Sequence, residues 1–384
     1  MKMLMVVAAL FAAGSVFAQK GEIAKWDPRM AADNAVVDTN GVKWIDGRYL
    51  PIEGRWTHGD AKHYYARLPD TLTTNVNAGV RNMRNHTSGM LFRFRTDSNF
   101  LVIRHTPLNG WHGMSHMTEV GTSGWDVYRL DRASGKWRFV ASNHRAVADK
   151  GNPGARVKRI AWTPGDECIV NLPLYNGVKE FALGVAPGAK VEAPAPWASG
   201  VGKPVVFYGT SITHGGCSTR PGLGFVNIVG RDLNVPVYGL GFSGSGVMEY
   251  ELSDVIAKID ASCYVLDCLW NMSLKETQRP GRSVERNYER FIRNLRAKRP
   301  DTPIVMAEHC NVYGNAKDEK DLFIRKLYEK LVAEGWKNLV YLPNDEMYTG
   351  DYEGTVDGCH PNDLGMMSMA KAFGKAVREA LHLK

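Results

Sequence analysis

A chain of 384 residues, 44% hydrophobic and 23% charged, can bury a sizeable core, and its length favours two domains over one. Those proportions exclude a disordered or fibrous protein. The formal charge of +8 comes without a dense Lys/Arg run and without finger or helix-turn-helix spacing. Nucleic acid is therefore not an expected partner, whereas an acidic polysaccharide is compatible with the mild excess.

Residues 1–18 read as a signal peptide. Lys2 is a short positive start, Met3 to Ala13 is apolar, and Val16-Phe17-Ala18 sets small residues before the cleavage point. Cleavage leaves Gln19 first and lowers the charge by one. The apolar run is too short to span a bilayer, and no cysteine follows it to carry a lipid. The expected location is outside the cytoplasm, periplasmic or secreted, with no stable membrane insertion. Six cysteines (Cys168, Cys217, Cys263, Cys268, Cys310, Cys359) are too few for a disulfide scaffold and lack the C-x-x-C spacing of a zinc site. One bridge among Cys217, Cys310 and Cys359 stays open, against free buried thiols.

Residues 26–185 read as an all-β sandwich of the jelly-roll kind. Short alternating runs separated by turns include Gly89 to Thr96, Phe100 to His105, Gly124 to Leu130, Trp137 to Ala141 and Glu180 to Gly184. In the first of these, Leu91 and Arg93 face one way, and Phe92 and Phe94 the other, as in a half-buried strand. Residues 186–204 are rich in Pro, Ala and Gly and read as a linker.

From 205 to 384 the pattern becomes strand alternating with helix. Val205 to Tyr208, Val237 to Leu240, Cys263 to Leu266, Ile304 to Ala307 and Leu339 to Leu342 are continuous apolar runs suited to parallel strands covered on both faces. Between them, Val284, Tyr288, Phe291, Ile292 and Leu295 mark one face of a helix. The expected fold is a three-layer α/β/α domain of flavodoxin-like type, with ligands beyond the carboxyl ends of the strands.

The residues at those ends carry the chemistry. Ser211 follows the first strand and is either an exposed nucleophile or a helix cap. Gly241 ends the second, where a glycine permits close approach of a ligand or simply a tight turn. Asn271 ends the third and can donate its amide into a cleft or serve a turn. Asp357 and His360, three apart before the last helix, can form an oriented base for a serine hydroxyl, although His-Pro also suits a helix start.

Together these blocks resemble the SGNH, or GDSL-like, hydrolases: Gly209-Thr210-Ser211, Gly241, Asn271 and Asp357 to His360 occur in that family's order. Thr210 stands where the name-giving motif has aspartate, and Met272 where an aspartate commonly follows the asparagine. Gly124-Trp125-Asp126-Val127-Tyr128 is similar to the G-x-D-L-Y element of a domain that precedes some of these enzymes. The resemblance implies a serine esterase in which His360, held by Asp357, takes the Ser211 proton. The Ser211 and Gly241 amides and the Asn271 side chain would then hold the oxyanion. It requires no metal and no organic cofactor.

His214, Arg220, Glu308 and His309 are further candidates for substrate contact, each with a structural alternative. An exported member with an added β-domain points to an acylated, first an acetylated, glycan as substrate. A lipase, thioesterase or aryl esterase is the alternative within the same chemistry. A glycan-binding protein with a degenerate hydrolase domain is the alternative outside it. The sandwich itself is either a glycan-binding module or a rigid lid over the site.

Overall fold

The structure, a computed structural model, describes residues 36–57, 62–314 and 317–384. The expected signal peptide and the first residues of the expected sandwich lie outside the described residues.

Among the described residues, twelve strands precede the parallel domain. They are β1 (Val36–Val37), β2 (Lys43–Asp46), β3 (Ile52–Glu53), β4 (Leu91–Thr96), β5 (Phe100–Pro107) and β6 (Asp126–Asp131), then β7 (Lys136–Ser142), β8 (Val147–Ala148), β9 (Arg156–Ala161), β10 (Glu167–Asn171), β11 (Val178–Val185) and β12 (Val191–Glu192). One antiparallel sheet runs β1-β2-β11-β5-β9-β8 and the other β12-β4-β10-β6-β7, with β3 beside β4. Their inner faces meet in a core that includes Phe92, Phe94, Ile103, Trp125, Val170 and Leu183. All five expected strands are present, and alternation turns residues such as Leu101 and Ile103 of β5 into the shared core.

Two features depart from the sequence reading. The 186–204 segment is not a free tether: β12 pairs with β4, and Trp197 is buried over the outer face of that strand. The Arg93 guanidinium stacks 3.7 Å above the Trp197 ring and lies 2.6 Å from Glu167, so β4 is covered on both faces. Proline runs exclude regular helix, yet they leave side chains free to pack. The second departure is Trp56, Leu68, Val76 and Val80, which share a core with the parallel sheet instead of the sandwich.

The second half is a five-stranded parallel sheet: β13 (Val205–Gly209), β14 (Val237–Gly241), β15 (Cys263–Asp267), β16 (Ile304–Ala307) and β17 (Leu339–Leu342), in the order β14-β13-β15-β16-β17. Alternation sends Val206 and Tyr208 into one helical layer and Val205 and Phe207 into the other, which is why these runs read as continuously apolar. Tyr288, Phe291, Ile292 and Leu295 of the helix Val284–Lys298 line the first layer. Met366, Met369, Phe373 and Val377 of the helix Asp363–Ala380 line the second. Among the described residues, no helix is long and apolar enough to cross a membrane.

The two halves are joined through buried polar groups. Arg67, fully buried, donates to the carbonyls of Gly239 (3.1 Å) and Gly241 (2.8 Å) along the outer edge of β14. The G-x-D-V-Y element makes a second junction through its alternation. Trp125 and Val127 point into the sandwich core, whereas Asp126 and Tyr128 point at the parallel-sheet half. Asp126 accepts from Arg220 (2.9 Å) and the Gly222 amide (2.8 Å), and Asn171 of β10 donates to its other oxygen at 2.8 Å. Gly124 is required because a Cβ there would lie 2.0 Å from Asn143 Oδ1.

Candidate active site

Ser211 sits in a tight turn directly after β13. The amides of His214 and Gly216 close it onto the carbonyls of Thr210 and Ser211, and the Thr210 hydroxyl accepts from the Ile212 amide at 3.2 Å. The residue that departs from the name-giving motif is thus a buried cap of the nucleophile turn. Met272, the other departure, is a core side chain.

Ser211 Oγ lies 2.9 Å from His360 Nε2, and His360 Nδ1 lies 2.8 Å from Asp357 Oδ2. The other carboxylate oxygen of Asp357 accepts the amides of Cys359 (3.0 Å) and His360 (2.7 Å). Burial pushes the Asp357 carboxyl up, but these amides and the imidazole outweigh it and hold the group below its ordinary value. An ionised, hydrogen-bonded carboxylate therefore faces the ring. This geometry can move a proton from a serine hydroxyl to an imidazole whose positive charge the carboxylate offsets.

Asn271, at the end of β15, places Nδ2 3.4 Å from the Phe242 carbonyl and 3.3 Å from that of Gly246. Its amide therefore adjoins the turn that follows β14. Gly241 is placed differently from the expectation. The Phe242 amide donates to Gly209 in the ladder with β13, so Gly241 turns its own amide and carbonyl toward the opposite edge, where Arg67 holds the carbonyl. Glycine is needed here because a Cβ would lie 2.0 Å from the His214 amide nitrogen, beneath the nucleophile turn. In the next turn the amides of Ser245 and Gly246 both donate to Phe242, and exposed Gly244 has a φ of 64° with open space around it.

The four expected substrate contacts are engaged elsewhere. His214 is fully buried, stacked on Tyr175 at 4.2 Å and 3.3 Å from His86. Burial and the nearby Arg67 charge push its imidazole well below the ordinary range, so it stays neutral. Arg220 is committed to Asp126 and to the Phe139 ring. Glu308 is buried against Lys317 (3.0 Å), the Asn344 amide and the Tyr341 hydroxyl. His309 is buried with Nδ1 2.5 Å from Asp321. Strand ends point toward the crevice, but a polar side chain there can equally be folded back into a structural bond. The six cysteines are free thiols.

Sequence reasoning missed groups that reach the site from the sandwich. The Tyr175 hydroxyl donates to the Ser211 carbonyl at 2.9 Å, and the His116 ring lies 5.8 Å from the His360 ring. No local pattern announces either, since both depend on how the two halves dock. Beneath the site, the Thr213 hydroxyl donates to Asp267 at 2.7 Å. Burial pushes the Asp267 carboxyl up to about 7, against smaller opposing effects from Thr213 and His309. The unfolded chain gives up this proton near pH 4 while the folded chain keeps it, so this group's contribution to stability falls as pH rises from about 4 to about 7. Asp267→Asn keeps an acceptor for Thr213 and removes the ionisation. Its melting temperature should nearly match the parent at pH 4.5 and exceed it at pH 8, by a stability difference on the order of a few kcal/mol. Equal differences at both pH values would refute the assignment.

A family model described as the GDSL-like lipase/acylhydrolase family matches residues 202–378. A second, described as the GxDLY N-terminus of the SGNH-hydrolase-type esterases, matches residues 42–191. A structure described as a GDSL-like lipase from Bacteroides ovatus is 27% identical, with a TM-score of 0.76 over 89% of this chain and 99% of that one. The salicylyl-acyltransferase SsfX3 of a tetracycline biosynthetic pathway is similar in fold at 17% identity, with a TM-score of 0.68 over 89% and 98% of the two chains. A family two carbohydrate esterase from Cellvibrio japonicus is similar in fold at 13% identity, with a TM-score of 0.55 over 89% and 98%. No curated protein matches the chain. With one model on each half, and the aligned serine, imidazole and carboxylate all within the second half, the chain belongs to the SGNH (GDSL-like) hydrolases that carry an N-terminal GxDLY domain.

Proposed function

We propose that the protein is an exported serine esterase that removes acetyl groups from carbohydrates through an acyl-enzyme. The observation that carries this reading is the continuous chain Ser211 Oγ, His360, Asp357. His360 takes the serine proton as Oγ attacks the ester carbonyl, then returns it to the departing sugar hydroxyl. Water, activated by the same imidazole, releases the acid. The oxyanion is held by the Ser211 amide, Asn271 Nδ2 and the Gly244 amide, the last replacing the strand residue Gly241, whose amide faces the outer edge. Asn271→Ala should lower kcat about 10²–10³-fold with KM little changed. A change confined to KM would mean that Asn271 binds substrate without stabilising the transition state.

Polar groups near the nucleophile support a sugar more than an alkyl chain: the Tyr175 hydroxyl bonds the Ser211 carbonyl, Asn271 adjoins the turn after β14, and Arg282 is bonded to the Gly244 carbonyl at 2.7 Å. The test offers the mature protein acetylated xylan, acetylated mannan, p-nitrophenyl acetate and p-nitrophenyl laurate. Acetate release from a polysaccharide, with acetate preferred to laurate among the small esters, is the expected result. A preference for laurate would move the assignment to a lipase, and release only from small esters would move it to another acyl substrate. Export is tested by the N-terminus of the protein recovered outside the cytoplasm, expected to be Gln19.

A further inference from the structure

We propose that His116, Cys217 and His360 form a binding site for a divalent ion of the zinc class, and that its occupancy switches off the esterase activity on which this inference rests. The three residues come from separate segments: the sandwich loop after β5, the loop beyond the nucleophile turn, and the segment that carries the base. One nitrogen of each histidine and the cysteine sulfur all lie within 4.8 Å of one another.

Two imidazoles and a thiolate are the donor set that zinc prefers, and three protein ligands leave the fourth tetrahedral position open. Zinc bond lengths place neighbouring donors roughly 3.3–3.6 Å apart, so closing the site requires movement on the order of one ångström. His116 is exposed and can supply that movement, while Cys217 is buried and His360 is already fixed.

The support for His360 is an independent sign of a built site. Its Nδ1 faces Asp357 at 2.8 Å, the carboxylate–imidazole arrangement that orients zinc-binding histidines. That leaves Nε2 as the free nitrogen, and Nε2 is the atom 2.9 Å from Ser211 Oγ. The ion and the serine proton therefore compete for one lone pair. Binding forms the metal–sulfur bond as the Cys217 thiol proton leaves to solvent, with no change of oxidation state. The other cluster of this type, His309 with Asp318 and Asp321, is already spent: both carboxylates cap the helix Glu319–Ala333, and Asp321 also holds His309.

The test uses the mature protein, reduced and freed of metal, with p-nitrophenyl acetate as reporter. Zinc is expected to inhibit, and a chelator to restore the rate. Cys217→Ser should retain metal-free activity, and both it and His116→Ala, each measured against its own metal-free rate, should need roughly tenfold or more zinc for half inhibition. Cobalt in place of zinc should give a near-ultraviolet thiolate-to-cobalt band that Cys217→Ser lacks. Inhibition unchanged in both variants, or no cobalt–thiolate band in an active protein, overturns the site. A band in a protein inactive toward every ester keeps the metal site and overturns the esterase switch, so the two failures are distinguishable.

Discussion

Ser211→Ala should abolish measurable turnover of p-nitrophenyl acetate, a loss of at least about 10³-fold and approaching 10⁶-fold where the background permits. His360→Ala should lose as much, and the double variant no more, because a nucleophile without its base and a base without its nucleophile fail in the same step. The comparison that separates this geometry from a generic polar cluster lies at Asp357. One of its oxygens accepts the Cys359 and His360 amides and the other faces Nδ1. In Asp357→Asn, the amide bonds will hold the carbonyl oxygen in place and turn the NH₂ group toward Nδ1. That forces the ring proton onto Nε2, where it blocks acceptance of the serine proton. Asp357→Ala removes this bias and lets water orient the ring, since the carboxylate side chain is 37% exposed. Asn is therefore expected to fall about 10²–10⁴-fold in kcat and to be no better than Ala, despite its closer shape. An Asn variant much more active than the Ala variant would show that Asp357 acts by packing or by shape.

What the sequence disclosed follows from the range of the forces involved. The five parallel strands were legible because each buries both faces, which leaves an uninterrupted apolar run such as Val205 to Tyr208. Ser211, Asn271, Asp357 and His360 were legible because the carboxyl ends of those strands define one edge, so residues far apart in the chain are gathered there by topology. Short strands such as Val36–Val37 and Val191–Glu192 were not, since two residues carry no period. Gly241 was misread for a related reason. Its place in the chain marks the site, but whether its amide faces β13 or the outer edge is a matter of ladder register, which composition does not encode. The burial of His214, Glu308 and His309 depended on partners 9 to 128 residues away, as in the pairs Glu308–Lys317 and His86–His214.

Asp126→Ala is expected to be the most damaging substitution outside the catalytic residues. The carboxylate is fully buried and receives three donors: Arg220, the Gly222 amide and Asn171. Removing it strands all three, and two of the donors, Asn171 and the Gly222 amide, belong to buried residues. Breaking a buried pair from one side costs about 3–5 kcal/mol; because the Arg220 side chain is 19% exposed and partly rehydrates, about 2–4 kcal/mol is the expected loss here. In thermal unfolding this appears as a melting temperature lower by roughly 5–10 °C. Arg220→Ala should cost a similar amount for the opposite reason, since it leaves a buried carboxylate served only by neutral donors. The double variant Asp126→Ala/Arg220→Ala should then cost less than the two single losses added, because each single variant already removes the same bond. Simple additivity would mean that the residues stabilise the protein separately, and the G-x-D-V-Y element would lose its role as the latch between the halves. A latch also predicts an effect on turnover. Gly222 belongs to the segment that leaves the nucleophile turn, so freeing it should lower kcat at temperatures where the variant is still fully folded. An undiminished kcat would confine Asp126 to stability alone.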